Sequence, residues 1–219
     1  MGQFFINGAQ YAFATVAGPV VPITDISNAN PAVADSATLP TVGDIVLLSS
    51  NWSSLIGQAC RVGTVVAGTS FQLEGIDTTD TTLYPDGEGA GSYQKLSSFI
   101  NLSQIREIAQ QGGDFNDFSW AYVEDRALRQ RSRPTDANPI KLTFTLDYDP
   151  ALAWFDALDT VTNKQMLTAM RETLPDGTIL LYTGYIAFNK SPTRTRNQNM
   201  TVQAVMTVNS DILRYDATP

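Results

Sequence analysis

The chain has 219 residues, 43% hydrophobic and 16% charged, and carries a net charge of −8. That length can bury a core without staples, and the single cysteine, Cys60, excludes an internal disulfide and reads as a small buried apolar residue. Without a histidine the commonest neutral-pH base and metal ligand is missing, and an acidic surface does not grip nucleic acid through its phosphates.

The N-terminal run MGQFFINGAQYAF has neither a basic n-region nor a long apolar stretch, so no secretory signal and no membrane helix are expected. Synthesis in a reducing cytoplasm follows, and the glycosylation-like triplets at Asn51, Asn101 and Asn199 read as chance matches. Residues 16–43 are rich in Ala, Pro, Val, Ser and Thr without a helical period, which predicts an extended arm or long loop. From Asp44 short strands are predicted: an apolar run at 44–50, a turn of helix near Trp52, and two strands joined at Ala67-Gly68. Residues 77–92 read as loop, and Tyr93 to Ile100 as extended chain.

Segment 103–110 fits a short helix or a strand; its length and the following Gly112-Gly113 favour the strand. Phe118, Trp120 and Tyr122 then recur at every second residue, an aromatic strand face expected to join the core. Residues 124–139 hold Arg126, Arg129, Arg131 and Arg133 with two prolines, and read as a long polar loop. The clearest unit is the last. Ile140, Leu142, Phe144 and Leu146 alternate with polar neighbours. Asp149-Pro150 reads as an N-cap and first helical residue, with the helix running to about Asn163 and Ala151, Trp154, Leu158 and Val161 forming its apolar stripe. A strand over 166–174, a turn at Pro175-Asp176-Gly177, a return strand over 178–188 and a last strand over 200–208 follow.

Constellations that could carry chemistry have simpler explanations. The glycine-rich 87–92 segment lacks the Lys-Ser/Thr of a phosphate loop and is followed by Tyr93. Asp77, Asp80, Asp86 and Glu88 lack calcium-loop spacing and read as solvated carboxylates. Asp147, Asp149, Asp156 and Asp159 read as a cap and a wet helix face rather than a hydrolytic pair. The four arginines leave three readings open: a solvated loop, a contact with an acidic patch on another copy, or phosphate binding. A sheet with this many strands and no evident closure leaves open edges that identical copies could complete.

One stretch, from KLTFTLDYDPALAWF through LPDGT and YTGY to the Thr/Val-rich strand near 200–208, resembles the C-terminal part of tail tube proteins of long, non-contractile-tailed bacteriophages. Trp52, Arg61-Val62, the segment 73–78 and Pro85-Asp86-Gly87 extend the resemblance to about residues 42–215. It implies a mainly β fold, a β-sandwich or partial barrel with one flanking α-helix and long loops, tail-tube-like, with residues 1–219 as one domain. Within it, 16–41 would be an arm or loop and 124–139 a long inter-subunit loop, placing Arg126, Arg129, Arg131 and Arg133 at the contact.

The implied function is structural, not enzymatic, and needs no cofactor or metal. Six copies would form a ring, and stacked rings would form a tube in the virion tail whose acidic lumen conducts DNA. Glu107, Asp117 and Glu172, on predicted strands, are the lumen candidates, with ordinary outer-face carboxylates as the alternative. The implied partners are further copies, the tape measure, the tail terminator and tail tip proteins, and transiently passing DNA, with no membrane. Alternatives are a capsid decoration or tail terminator protein, and a carbohydrate-binding β-sandwich using Trp120 and Tyr122.

Overall fold

The computed structural model describes residues 7–124, 126 and 130–217. Its first strand, β1 (Gln10–Ile23), is fourteen residues long. It is followed by β2 (Asp25–Ile26), β3 (Ala32–Asp35), β4 (Ile45–Ser50), a 3-10 turn at Ser53–Leu55, β5 (Ala59–Val66), β6 (Ser70–Glu74) and β7 (Gly91–Leu102). Next come β8 (Ile105–Gln111), β9 (Phe115–Trp120), β10 (Arg131–Ala137) and β11 (Lys141–Asp147). The chain continues through α1 (Ala153–Lys164), β12 (Leu167–Thr173), β13 (Ile179–Asn189), β14 (Thr201–Val208) and β15 (Leu213–Tyr215).

Thirteen strands form one antiparallel sheet in the order β2-β3-β6-β5-β4-β7-β1-β12-β13-β14-β11-β8, with β15 beside β13; β9 and β10 form a separate two-stranded ribbon. The sheet curls into a partial barrel with one helix, the mainly β architecture expected from the sequence.

Two cores share the long β1–β7 pair. The first gathers Phe13, Phe144, Leu146, Met170 and Met206 under Trp154, Leu158 and Val161 of α1. The second packs Ile26, Leu48, Phe71, Leu73 and Tyr93. Between them lies a joint of small residues, Ala14, Ala59 and Ala169, with Leu96, Leu181 and Tyr215. Methyl side chains let layers approach closely, and the buried Thr168 hydroxyl donates to the Ala14 carbonyl across the joint. Gly18-Pro19 interrupts β1, and the β1–β7 register shifts between Ala17 and Val20, because proline has no N–H for the ladder.

Three expectations need correction. Residues 16–41 are not an arm: β1 continues to Ile23, and β2 and β3 join the chain's own sheet through β6. The sequence shows no strict strand alternation here because β1 changes core half-way and is broken by Gly18-Pro19. Residues 124–139 are not all loop, since β10 pairs with β9 and the connection shrinks to 121–130. The helix starts three residues later than expected, with Leu152 as N-cap, because Asp149 Oδ1 accepts from the Ala151 amide in a turn that precedes it. Ala151 is exposed and leaves the stripe.

An ion pair joins β5 to β6 beside the second core, and hydrogen bonds of Tyr215 tie the C-terminal strand to it. Arg61 donates from Nε and one Nη to the two Glu74 oxygens, at 2.6 Å each. The Tyr215 hydroxyl accepts from the Arg61 amide at 2.9 Å and donates to the Glu74 carbonyl at 3.0 Å. The Arg61 bond holds the Glu74 carboxyl below its ordinary 4.5.

A depressed folded pKa gives stability that is present above the unfolded value and lost as pH falls through the folded one. Urea midpoints should therefore fall on the acid side of 4.5, and Glu74→Gln should flatten that fall; an unchanged acid slope would remove Glu74 from the cause. Because the cores share two strands, Phe71→Ala and Phe144→Ala, each costing about 3–5 kcal/mol, should each lower one common calorimetric transition. Separate transitions would show independent lobes.

Candidate assembly surface

Strands β8 and β11 run on into the ribbon, and glycine makes the junction possible. Gly112 and Gly113 both have φ of +84°, and a Cβ at Gly112 would meet the Pro139 carbonyl oxygen at 2.2 Å. The Gly113 amide donates to the Asn138 carbonyl and the Asn138 amide to the Asp114 carbonyl, both at 2.9 Å, so the ribbon leaves the sheet with its base bonded.

The ribbon sorts its side chains by face. Arg131 lies opposite Trp120 and Arg133 opposite Phe118, and cross-strand partners share a face. The Phe118 and Trp120 rings stack with centroids 5.9 Å apart, and the Arg131 guanidinium lies 5.1 Å from the Tyr122 ring centroid. The other face carries Asp117, Ser119, Ser132 and Pro134. The aromatic face is not core, contrary to the sequence expectation: Phe118 is 62% exposed and Tyr122 49%. Arg126 sits in the exposed turn, and Arg129 lies outside the described residues.

The second open feature is β8 itself, which among the described residues pairs with β11 on one side only. Its other edge faces Asn7–Ala9 and Tyr11 across a groove of about 430 Å³, lined also by Ile105, Arg106, Glu107 and Ile108. Arg106 is neutralised by Asp147. Of the lumen candidates, Glu107 lines this groove and Asp117 is exposed on the ribbon, both on the continuous β8–β9 stretch. Glu172 stands apart: it accepts the Tyr11 hydroxyl at 2.8 Å and is half-buried. Burial first, and then that bond, push the Tyr11 phenol well above its ordinary range.

The sheet formed by β8, β11, β14 and β13 is covered on one face only. Phe144, Leu146, Val202, Ala204, Met206, Ile186 and Phe188 pack in the first core beneath α1. Register places Glu107, Thr145 and Gln203 in one row on the opposite face, with Ala109, Thr143, Val205 and Ala187 in the next. That face is small and mostly uncharged, with Lys141 opposite Gln111 at its end.

The net negative charge concentrates in the lobe built around the second core, because bases are scarce there. Residues 20–94 contain eight acids and one base, Arg61. The segment 77–89 is laid over β2–β3: the Asn28 amide donates to the Thr78 and Tyr84 carbonyls at 2.9 and 2.8 Å, and Asn30 donates to Asp77 Oδ2 at 2.7 Å. Hydrogen bonds from Thr79 to Asp77 and from Thr82 to Asp80 lower both carboxyls.

Sequence reasoning singled out the arginines but missed the face that Arg131 and Arg133 share with the aromatics. Its available signal was the two-residue spacing of Arg129, Arg131 and Arg133 against that of Phe118, Trp120 and Tyr122.

A family model described as phage tail tube protein matches residues 50–217. No curated protein matches. Three solved structures are similar: the tail of an empty gene transfer agent particle refined with helical C6 symmetry, the virion of a native gene transfer agent particle, and the six-fold symmetrised baseplate of the anti-feeding prophage. Their TM-scores are 0.43, 0.40 and 0.41, at 8%, 9% and 9% identity. The matches cover 53%, 53% and 56% of this chain and 85%, 88% and 87% of the others.

Because no core residue supports the Phe118 ring, Phe118→Ser should leave the stability of the unassembled protein within about 0.5 kcal/mol. Thermal unfolding checks this; a loss above about 2 kcal/mol would mean that the ring packs on the core.

Proposed function

The chain belongs to the phage tail tube protein family, a structural family of the phage tail, and from that premise we propose that its copies close into six-membered rings and stack into a tube that conducts DNA. The observation that carries this reading is the one-sided sheet β8-β11-β14-β13: among the described residues it is buried against α1 on one face, bare on the other, and ends at β8 in an edge without a strand partner. A strand from a neighbouring copy completes such an edge through backbone hydrogen bonds, and repetition of one heterologous contact gives a ring. Six is the number that the family resemblance implies.

The bare face then lines the channel. Its Thr143, Thr145, Gln203, Ala109 and Ala187 are uncharged, Glu107 adds repulsion, and Lys141 stands only at the end of the face, so DNA slides without being held along it. At physiological salt the charge acts over only about 8 Å, so the wall excludes adhesion locally rather than steering DNA from afar. Asp117 extends this acid lining along the ribbon, whereas Glu172, bonded to Tyr11, supports the wall from within. The arginines of the ribbon make contacts between copies. The tape measure, tail terminator and tail tip proteins are the further partners of such a tube.

Electron microscopy of the concentrated protein tests the reading. Hollow tubes with sixfold end views are expected, and they should not retain duplex DNA at physiological salt. Gln203→Lys, on the bare face away from the open edge, should leave tube formation intact and make the tubes retain DNA. Particles that stay monomeric at every concentration, or rings of another order, would defeat the proposal.

A further inference from the structure

We propose that the aromatic–arginine face of the β9–β10 ribbon docks onto the acidic margin of the second lobe, formed by β2, β3 and residues 77–89, of the next copy. The inference deepens the assembly reading above and rests on it. It starts from a face that has no core partner among the described residues. Phe118, Trp120 and Tyr122 share one side with Arg131 and Arg133, while Asp117 lies on the other. Exposed aromatics interleaved with arginine are the side chains that dominate protein contacts, and a soluble chain rarely leaves such a face uncovered.

The charge of the chain itself selects the occupant. The ribbon continues β8, one end of the sheet order, and the acids lie at β2, the other end. Asp25 and Asp35 are directly opposed cross-strand partners, a like-charge pair that costs stability until a cation arrives. Among the described residues no cation reaches ion-pair distance of Asp25, Asp35, Asp77, Asp80, Asp86 or Glu88. The margin is also held in place. A Cβ at Gly89 would lie 2.6 Å from the Ile26 carbonyl oxygen and 3.0 Å from Asp25 Oδ1, so the loop sits directly on β2 beside its carboxylate. Leu83, 63% exposed in the same loop, offers the aromatics an apolar contact. A contact between opposite ends of one sheet is head-to-tail, the form that propagates from copy to copy.

Charge reversal in complementary variants tests this. Arg131→Glu with Arg133→Glu, and separately Asp86→Lys with Glu88→Lys, should each raise the critical concentration for tube formation by about tenfold or more. Both variants should keep the unaltered circular dichroism spectrum and thermal midpoint, since all four side chains are exposed. Mixed one to one they should assemble again, because each reversed ribbon then meets a reversed margin and each native ribbon a native one. Misfolding cannot produce that rescue. Normal assembly of the Asp86/Glu88 variant, or a mixture that stays unassembled, would overturn the docking and leave the tube reading intact. Failure of the unaltered protein to form any tube would overturn both.

Discussion

The antiparallel pairing of β1 with β7 is the interaction on which the rest of the molecule depends. Tyr11 to Ile23 of β1 run beside Leu102 back to Gly91 of β7, and the two cores hang from opposite ends of that pair. A strand that must bury Phe13 in one core and Ile23 in another cannot keep one strict alternation. The shift at Gly18-Pro19 resets the pleat where the cores meet. The alanines of the joint follow from the same constraint, because larger side chains there would force the layers apart.

Fixing the sheet in this way decides which edges stay open. The second lobe ends at β2, two residues long and carrying Asp25 opposite Asp35, a margin that resists accidental strand pairing. The first lobe ends at β8, seven residues long and bordered by a groove, a margin that invites pairing. The contrast makes sense for a subunit that adds neighbours in one direction. The glycine pair at 112–113 then carries the β8–β11 ladder outward as a ribbon instead of ending it in a short turn.

Much of the fold was legible in the sequence, and its gaps have physical causes. Phe144, Leu146, Val202, Ala204 and Met206 sit on strands with one wet face, so period two identified them. Trp154, Leu158 and Val161 announced the helix by their spacing, while its start was misread because Asp149 caps a turn rather than the helix. Residues 16–35 concealed their strands because a strand serving two cores has no single pattern. Residues 131–137 concealed theirs because every side chain there is exposed, and an exposed strand carries no apolar alternation. The same cause hid the candidate site: the arginines were visible as a cluster, but their pairing with Phe118 and Trp120 exists only across the ladder.

The uneven charge of the chain links these features. A net charge of −8 makes separate copies repel one another and stay soluble, yet they must still meet. The fold resolves the conflict by sorting rather than by neutralising. Net negative charge gathers in residues 20–94, where eight acids meet a single base, and the ribbon turns Arg131 and Arg133 to one face and Asp117 to the other. Repulsion between whole molecules is weak beyond about 8 Å at physiological salt, whereas an arginine placed against a carboxylate acts at contact range, where screening is least effective. Docking of the kind proposed would therefore reward only the correctly oriented encounter. A chain with the same composition but with its arginines scattered over both ribbon faces would keep the repulsion and lose the orientation.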